Sequence, residues 1–158
     1  MRWWLVLLAL CSSAAHALSG EVTHVTDGDT LWVRAAEGKP VKVRLLGIDA
    51  PERCQAWGPQ ARDALTSRVL HKHVDIDTRA VDDYQRTLGK LLLNGEDIGA
   101  WMVLQGHAWS YRYRRSAGPY AAQQQQARIA HRGLFAANDA MEPRAFRKAH
   151  GPCEMPPR

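Results

Sequence analysis

The chain has 158 residues, 46% of them hydrophobic and 23% charged, which suits one globular domain and is too apolar for a disordered chain. Its net charge of +5 points to an anionic partner: nucleic acid, a membrane surface or a polyanionic polymer. No membrane-spanning protein is expected, because the apolar run from Trp3 to Leu10 falls well short of the roughly 20 residues such a helix needs. That run follows Arg2 and precedes Ala15-His16-Ala17, so residues 1–17 read as a secretory signal peptide. Cys11 would leave with it. The remaining pair, Cys54 and Cys153, is then expected to form one disulfide in a protein that is periplasmic or secreted.

Strands come first. Val22 and Val25, then Leu31 and Val33, flank the turn Asp27-Gly28-Asp29. A second turn at residues 37–40 leads into Val41, Val43 and Leu45, which alternate with Lys42 and Arg44 as a half-buried strand. Residues 47–58 read as an ordered loop, and Pro59 opens a helix to about His71 with Ala61, Leu65, Val69 and Leu70 as its apolar stripe. Val74, Ile76 and Thr78 form another strand, residues 79–86 are polar, and Leu88 to Leu93 is a strand ending at an Asn94-Gly95 hairpin turn. A short buried helix covers Ile98 to Gln105 and stops at Gly106. A longer one covers Tyr120 to His131, with Gly133 as its C-terminal cap. Trp101 and Trp109 are expected in the core, and Gln123 to Gln126 on a solvated face.

Five strands with a helix between the third and fourth predict a mainly β, α+β domain: a five-stranded OB-fold Greek-key barrel with about three helices. It spans residues 18–136. Residues 137–158 are expected to be an irregular tail tethered by the disulfide, with no second core.

Several chemistries have no motif here: P-loop, dinucleotide, zinc-protease, nucleophile-elbow and EF-hand patterns are all missing from the sequence. His71 and His73 lack a third ligand at a recognisable spacing and read as a surface pair. What remains is a set of acids and arginines. Alone, the Asp27-Gly28-Asp29-Thr30 stretch is no more than a solvated hairpin. In the stretch from Arg44 to Glu52, however, an arginine on the polar face of a strand is followed by Asp49 and Glu52 in the next loop. A closed barrel would bring Asp29 towards Asp49, giving two carboxylates for a hard, oxygen-seeking cation.

Together these segments, with Asp82-Asp83-Tyr84-Gln85-Arg86 downstream, resemble the staphylococcal nuclease (thermonuclease) family from about Glu21 to Phe135. The resemblance implies a Ca²⁺-dependent phosphodiesterase acting on DNA and RNA with little sequence preference, an endonuclease leaving 3′-phosphate ends. It makes Asp29, Asp49 and the backbone carbonyl of Ala50 the metal ligands. Glu52 becomes the residue that positions or deprotonates the attacking water, and Arg44 and Arg86 the grip on the phosphate. Tyr84, Tyr111 and Tyr113 would line the nucleotide pocket, and Tyr111 to Arg115, which interleaves aromatics with cations, could stack bases beside a phosphate-attracting edge. A monomer is expected. Two departures stand out: Ala50 replaces a frequent threonine, and Gln85 replaces a glycine whose freedom at positive φ could matter for aiming Arg86. The rival reading is a catalytically inactive OB-fold module for nucleic-acid binding or protein interaction. Retention of all five charged site residues favours the enzyme.

Overall fold

The computed structural model describes residues 17–35 and 38–153. All but the last residue of the segment read as a signal peptide, and Glu37 of the second turn, therefore lie outside the described residues. Five main strands follow from the alternation in the sequence: β1 (Ala17–Val25), β2 (Thr30–Arg34), β3 (Val41–Leu45), β5 (His73–Val81) and β6 (Thr87–Leu93). The two-residue strands β4 (Ile48–Asp49), β7 (Glu96–Asp97) and β8 (Trp109–Ser110) complete the set. β1 pairs antiparallel with β2 and β5, β2 with β3, and β5 with β6. A parallel pairing of β3 with β6 closes the ring. The predicted five-stranded barrel is what the chain forms.

Inward-facing Val22, Leu31, Val33, Val43, Leu45, Val74, Ile76, Leu91 and Leu93 fill it. Each such side chain contributes about 1.5–3 kcal/mol relative to exposure. The helix α1 (Gly58–Val69) seals one end with Ala61, Leu65 and Val69, and Pro59 sits in its first turn as predicted. It ends at Val69 rather than His71, which has already turned to a positive φ of 60°. The hairpin at Asn94-Gly95 also forms as predicted, with both residues at positive φ (53° and 81°) and Leu93 opposite Glu96. α2 (Ile98–Leu104) and α3 (Ala121–Ile129) match their predicted places.

Four further details differ from the sequence reading. β5 continues through polar Arg79 to Val81, because the backbone pairing of Ala80 with Leu88 and Val81 with Thr87 needs no apolar side chains. Gly133 is not the cap of α3. That helix closes at Ala130, and Gly133 lies where an added Cβ would sit 2.3 Å from the Gly106 carbonyl oxygen. Trp109 is buried as expected, but in a satellite cluster with Ala127, Leu134 and Phe135, while Trp101 packs partly buried against the main core. Finally, the tail is not wholly irregular: α4 (Pro143–His150) starts at a proline and ends at Gly151 with φ 73°, a fourth α-helix among the described residues. Among the described residues no helix is long and apolar enough to cross a membrane.

Candidate active site

The turn between β1 and β2 brings Asp29 to the open end of the barrel. Gly28 permits this, since a Cβ there would come within 2.7 Å of the Ala50 side chain and 2.8 Å of Ala61. Thr30 pairs with Arg44 across β2 and β3, and the Leu45 N–H donates to the Asp29 carbonyl (2.8 Å). These contacts place the start of β2 beside the end of β3, so Asp29 and Arg44 meet. Asp29 accepts from the Ala50 N–H (2.9 Å) and the Thr30 hydroxyl (3.0 Å), and its carboxylate pairs with Arg44. The second nitrogen of Arg44 reaches Asp49 at 3.3 Å. Asp49 is pinned by the pairing of β4 with β8, in which it stands opposite Trp109. Asp29 and Asp49 are each only 6% exposed.

Burial alone would disfavour the charged form of Arg44; Asp29 and Asp49 more than offset this and keep the guanidinium charged. Burial also raises Asp49 above the usual carboxylate range, against hydrogen bonds from Arg147 and the charge of Arg44. Asp27, absent from the predicted site, lines the same cleft and accepts from the Asp29 N–H (3.1 Å). Burial first, and the nearby Asp29 charge second, push its carboxyl up to about 7. Its position in a turn motif was legible; its burial was not.

That raised value gives a signed expectation. A carboxyl with a higher pKa in the folded state binds its proton preferentially there, so it costs stability as pH rises from about 4 to about 7. Asp27→Asn is therefore expected to stabilise the metal-free protein by about 1–2 kcal/mol at pH 8 and by almost nothing at pH 4. Urea denaturation at the two pH values checks this, and an equal effect at both would contradict it.

The loop after Ala50 carries Glu52. Its backbone N–H donates to the Gln55 side chain (3.1 Å), and its carbonyl accepts from the Gln55 N–H (2.8 Å). Gly58 lies directly against that carbonyl, where a Cβ would stand only 1.9 Å from the oxygen. Across the cleft, Asp82 organises the turn that holds Arg86: its carboxylate accepts from the backbone N–H groups of Tyr84 (3.0 Å) and Arg86 (2.9 Å), and from the Arg86 Nε (2.8 Å). Arg86 also lies over the Tyr84 ring, 5.3 Å from its centre. Gln85 does adopt positive φ (59°), a conformation that costs a non-glycine residue about 1–2 kcal/mol. The side chain of Arg86 nevertheless lines the cleft.

A cleft of about 520 Å³ thus gathers Asp29, Arg44, Ala50, Glu52, Tyr84, Arg86 and Tyr111. Asp49 lies beneath it, bonded to Arg44 and Arg147. Tyr111 is set at the rim by its N–H bond to the Gly47 carbonyl (2.8 Å). Tyr113 is not brought to the cleft; it is exposed and stacks with Arg114 at 5.2 Å. Cys54 and Cys153 are bonded, with Cα atoms 5.7 Å apart. Arg147, from α4, is, with Asp27, a cleft residue that the sequence reading missed. The Pro143 start and Gly151 stop could have revealed its helix, but not which carboxylates it meets.

The donor set suits a hard cation. Asp27, Asp29, Asp49 and Glu52 bring four carboxyls against the two guanidiniums of Arg44 and Arg147, an excess of acid that all-oxygen cation sites characteristically carry. Among the described residues no cluster of three or more His, Cys, Asp or Glu side chains is arranged to hold a metal alone. A cation here would accordingly need backbone and water oxygens beside Asp29 and Asp49.

Residues 42–137 match the model of the family described as staphylococcal nuclease homologue. The chain is 41% identical over 155 residues to Protein ParB of Escherichia coli, an alignment that covers 91% of this chain and 87% of that one. It is 36% identical over 157 residues to a micrococcal nuclease of Shigella flexneri, covering 91% and 88%. An uncharacterized endonuclease of Haemophilus influenzae is 35% identical over 142 residues, covering 90% and 79%. A matched segment that begins inside β3 and takes in Arg44, Asp49, Glu52 and Arg86 leaves one conclusion: this chain belongs to the staphylococcal nuclease family.

Proposed function

We propose that the protein is an exported, Ca²⁺-dependent endonuclease that hydrolyses DNA and RNA with little sequence preference and leaves 3′-phosphate ends. Its family makes it a hydrolase of phosphodiester bonds. The observation that carries the finer reading is the convergence of two acids, a third acid and two arginines from separate elements on one cleft. Asp29, Asp49 and the Ala50 carbonyl would hold the cation, which supplies charge stabilisation at the phosphate and acidifies bound water. Glu52, on a loop braced by Gln55 and Gly58, takes the proton of the attacking water. Arg44 and Arg86 present planar forks to the phosphate oxygens, on which negative charge accumulates during attack. Tyr84 and Tyr111 offer exposed rings to a base or sugar at the same rim.

Export is supported by the composition of residues 1–17 and by the disulfide, since such bonds persist in oxidising compartments. Digestion of supercoiled plasmid and of RNA with Ca²⁺ and with excess EGTA tests the activity. Cleavage only with Ca²⁺, yielding ends that polymerase extends only after phosphatase treatment, is expected. Binding without cleavage in Ca²⁺, or undiminished cleavage in EGTA, would overturn the reading.

A further inference from the structure

α4 lies beyond the segment that matches the family, yet it delivers a side chain to that segment's carboxylates. Arg147 Nη1 donates to Glu52 Oε1 at 2.6 Å and approaches Asp49 Oδ1 at 3.4 Å, while Nη2 donates to Asp49 Oδ2 at 3.2 Å. Several contacts hold the helix there. The Cys54–Cys153 disulfide anchors its far end two residues after Glu52. The buried Gln55 donates from Nε2 to the Met141 carbonyl (2.7 Å), and Glu142 pairs with Arg112.

We propose that α4 is a tethered autoinhibitory strap, whose Arg147 guanidinium competes with the divalent cation for Asp49 and occupies the proton-accepting oxygen of Glu52. The proposal rests on the reading that Asp49 is a cation ligand and Glu52 the base. Its physical basis is direct. A guanidinium bonded to Glu52 engages the lone pair that a water proton would need, and a divalent ion seated on Asp49 repels a guanidinium on the same carboxylate. Without the ion, Arg147 supplies charge to a buried acid that Arg44 alone shares with Asp29. Because the strap is part of the chain, the competition is intramolecular, with the tether setting its effective concentration. Opening the disulfide removes one anchor and leaves Gln55 and Arg112 to hold the helix.

Calorimetric titration with Ca²⁺, in the absence of nucleic acid, tests this on the folded wild type and on Arg147→Ala, Arg147→Gln, Cys153→Ser, Cys153→Ser/Arg147→Ala and Asp49→Asn. Loss of the guanidinium is expected to tighten Ca²⁺ binding about tenfold, the scale of a partly exposed two-point ion pair. Cys153→Ser should tighten it several-fold when Arg147 is present and not further when it is alanine. Arg147→Gln keeps the length and helix propensity of the side chain and repeats the measurement if alanine loosens α4. Unchanged or weaker Ca²⁺ binding in both Arg147 variants, with Asp49→Asn abolishing it, would overturn the strap and leave the cation site standing. A wild type and variants that all take up no Ca²⁺ would overturn the cation site and the strap together. A third result would also sink the proposal: weaker capture of a fluorescent oligonucleotide in saturating Ca²⁺ by Arg147→Ala, measured in a Glu52→Gln background that blocks turnover, would make Arg147 a phosphate ligand instead.

Discussion

Glu52→Gln is expected to lower kcat by about 10²–10⁴-fold, the contribution of a positioned general base. That corresponds to about 3–5 kcal/mol of transition-state stabilisation. The substitution keeps the shape of the side chain, and Glu52 is held through its backbone to Gln55 and Gly58. The loop should therefore stay in place, and calorimetric Ca²⁺ affinity should not fall. A pH–rate profile supplies a second test: the limb of the wild-type profile that reports the base should vanish in the variant. A glutamine enzyme with more than a tenth of wild-type turnover would remove Glu52 from the role of base.

Arg44→Ala is expected to lose about 10²–10³-fold in kcat, as removal of one preorganised donor does, and to lose stability as well. Its guanidinium lies between Asp29 and Asp49, all three largely buried. Stripping one partner from such a cluster costs about 3–5 kcal/mol when the charges left behind stay ionised. Arg44→Lys separates the two effects. A lysine restores the charge, and with it much of the stability, but cannot reproduce the two-point grip on a phosphate. Thermal melts should therefore recover while kcat stays low. Arg86 offers a contrast within the same site. It is tied to Asp82 at the cleft rim rather than buried between two acids, so Arg86→Ala should reduce turnover with a far smaller loss of stability. Should Arg44→Lys prove fully active, the bidentate role would fall.

The barrel was legible because its strands alternate against a single core and its turns carry the residues their geometry demands. Val41, Val43 and Leu45 point to one side with Lys42 and Arg44 between them, and Asn94-Gly95 supplies the two left-handed residues of a tight hairpin. The acids and arginines of the cleft were legible in part for the same reason: Asp29, Arg44 and Asp49 sit at strand ends or turns whose places the barrel dictates. What the sequence concealed were relations between distant segments. Arg147 meets Asp49 and Glu52 across 98 and 95 residues of chain, and no local pattern encodes that pairing. Asp27 reads as a turn residue until Asp29 and the barrel wall deprive it of water. Tyr113 stands apart from Tyr111 as the exposed first residue of a turn, closed by the Ser116 N–H on its carbonyl, which no local pattern announced.

The Cys54–Cys153 bond also changes what a protease can accomplish. It closes the chain into a covalent ring that includes α1, β5, β6, α2, α3 and α4, leaving residues 1–53 and 154–158 outside. The segment Tyr111 to Ala117 is exposed throughout and carries Arg112, Arg114 and Arg115, bonds of the kind a trypsin-like enzyme cuts. A nick there falls inside the ring. The two pieces would remain joined, with Asp29, Arg44, Asp49, Glu52 and Arg86 all on the first of them and α3 with α4 on the second. Separation would then require cleavage and reduction together, so the two pieces are secured against a single cut in this exposed loop.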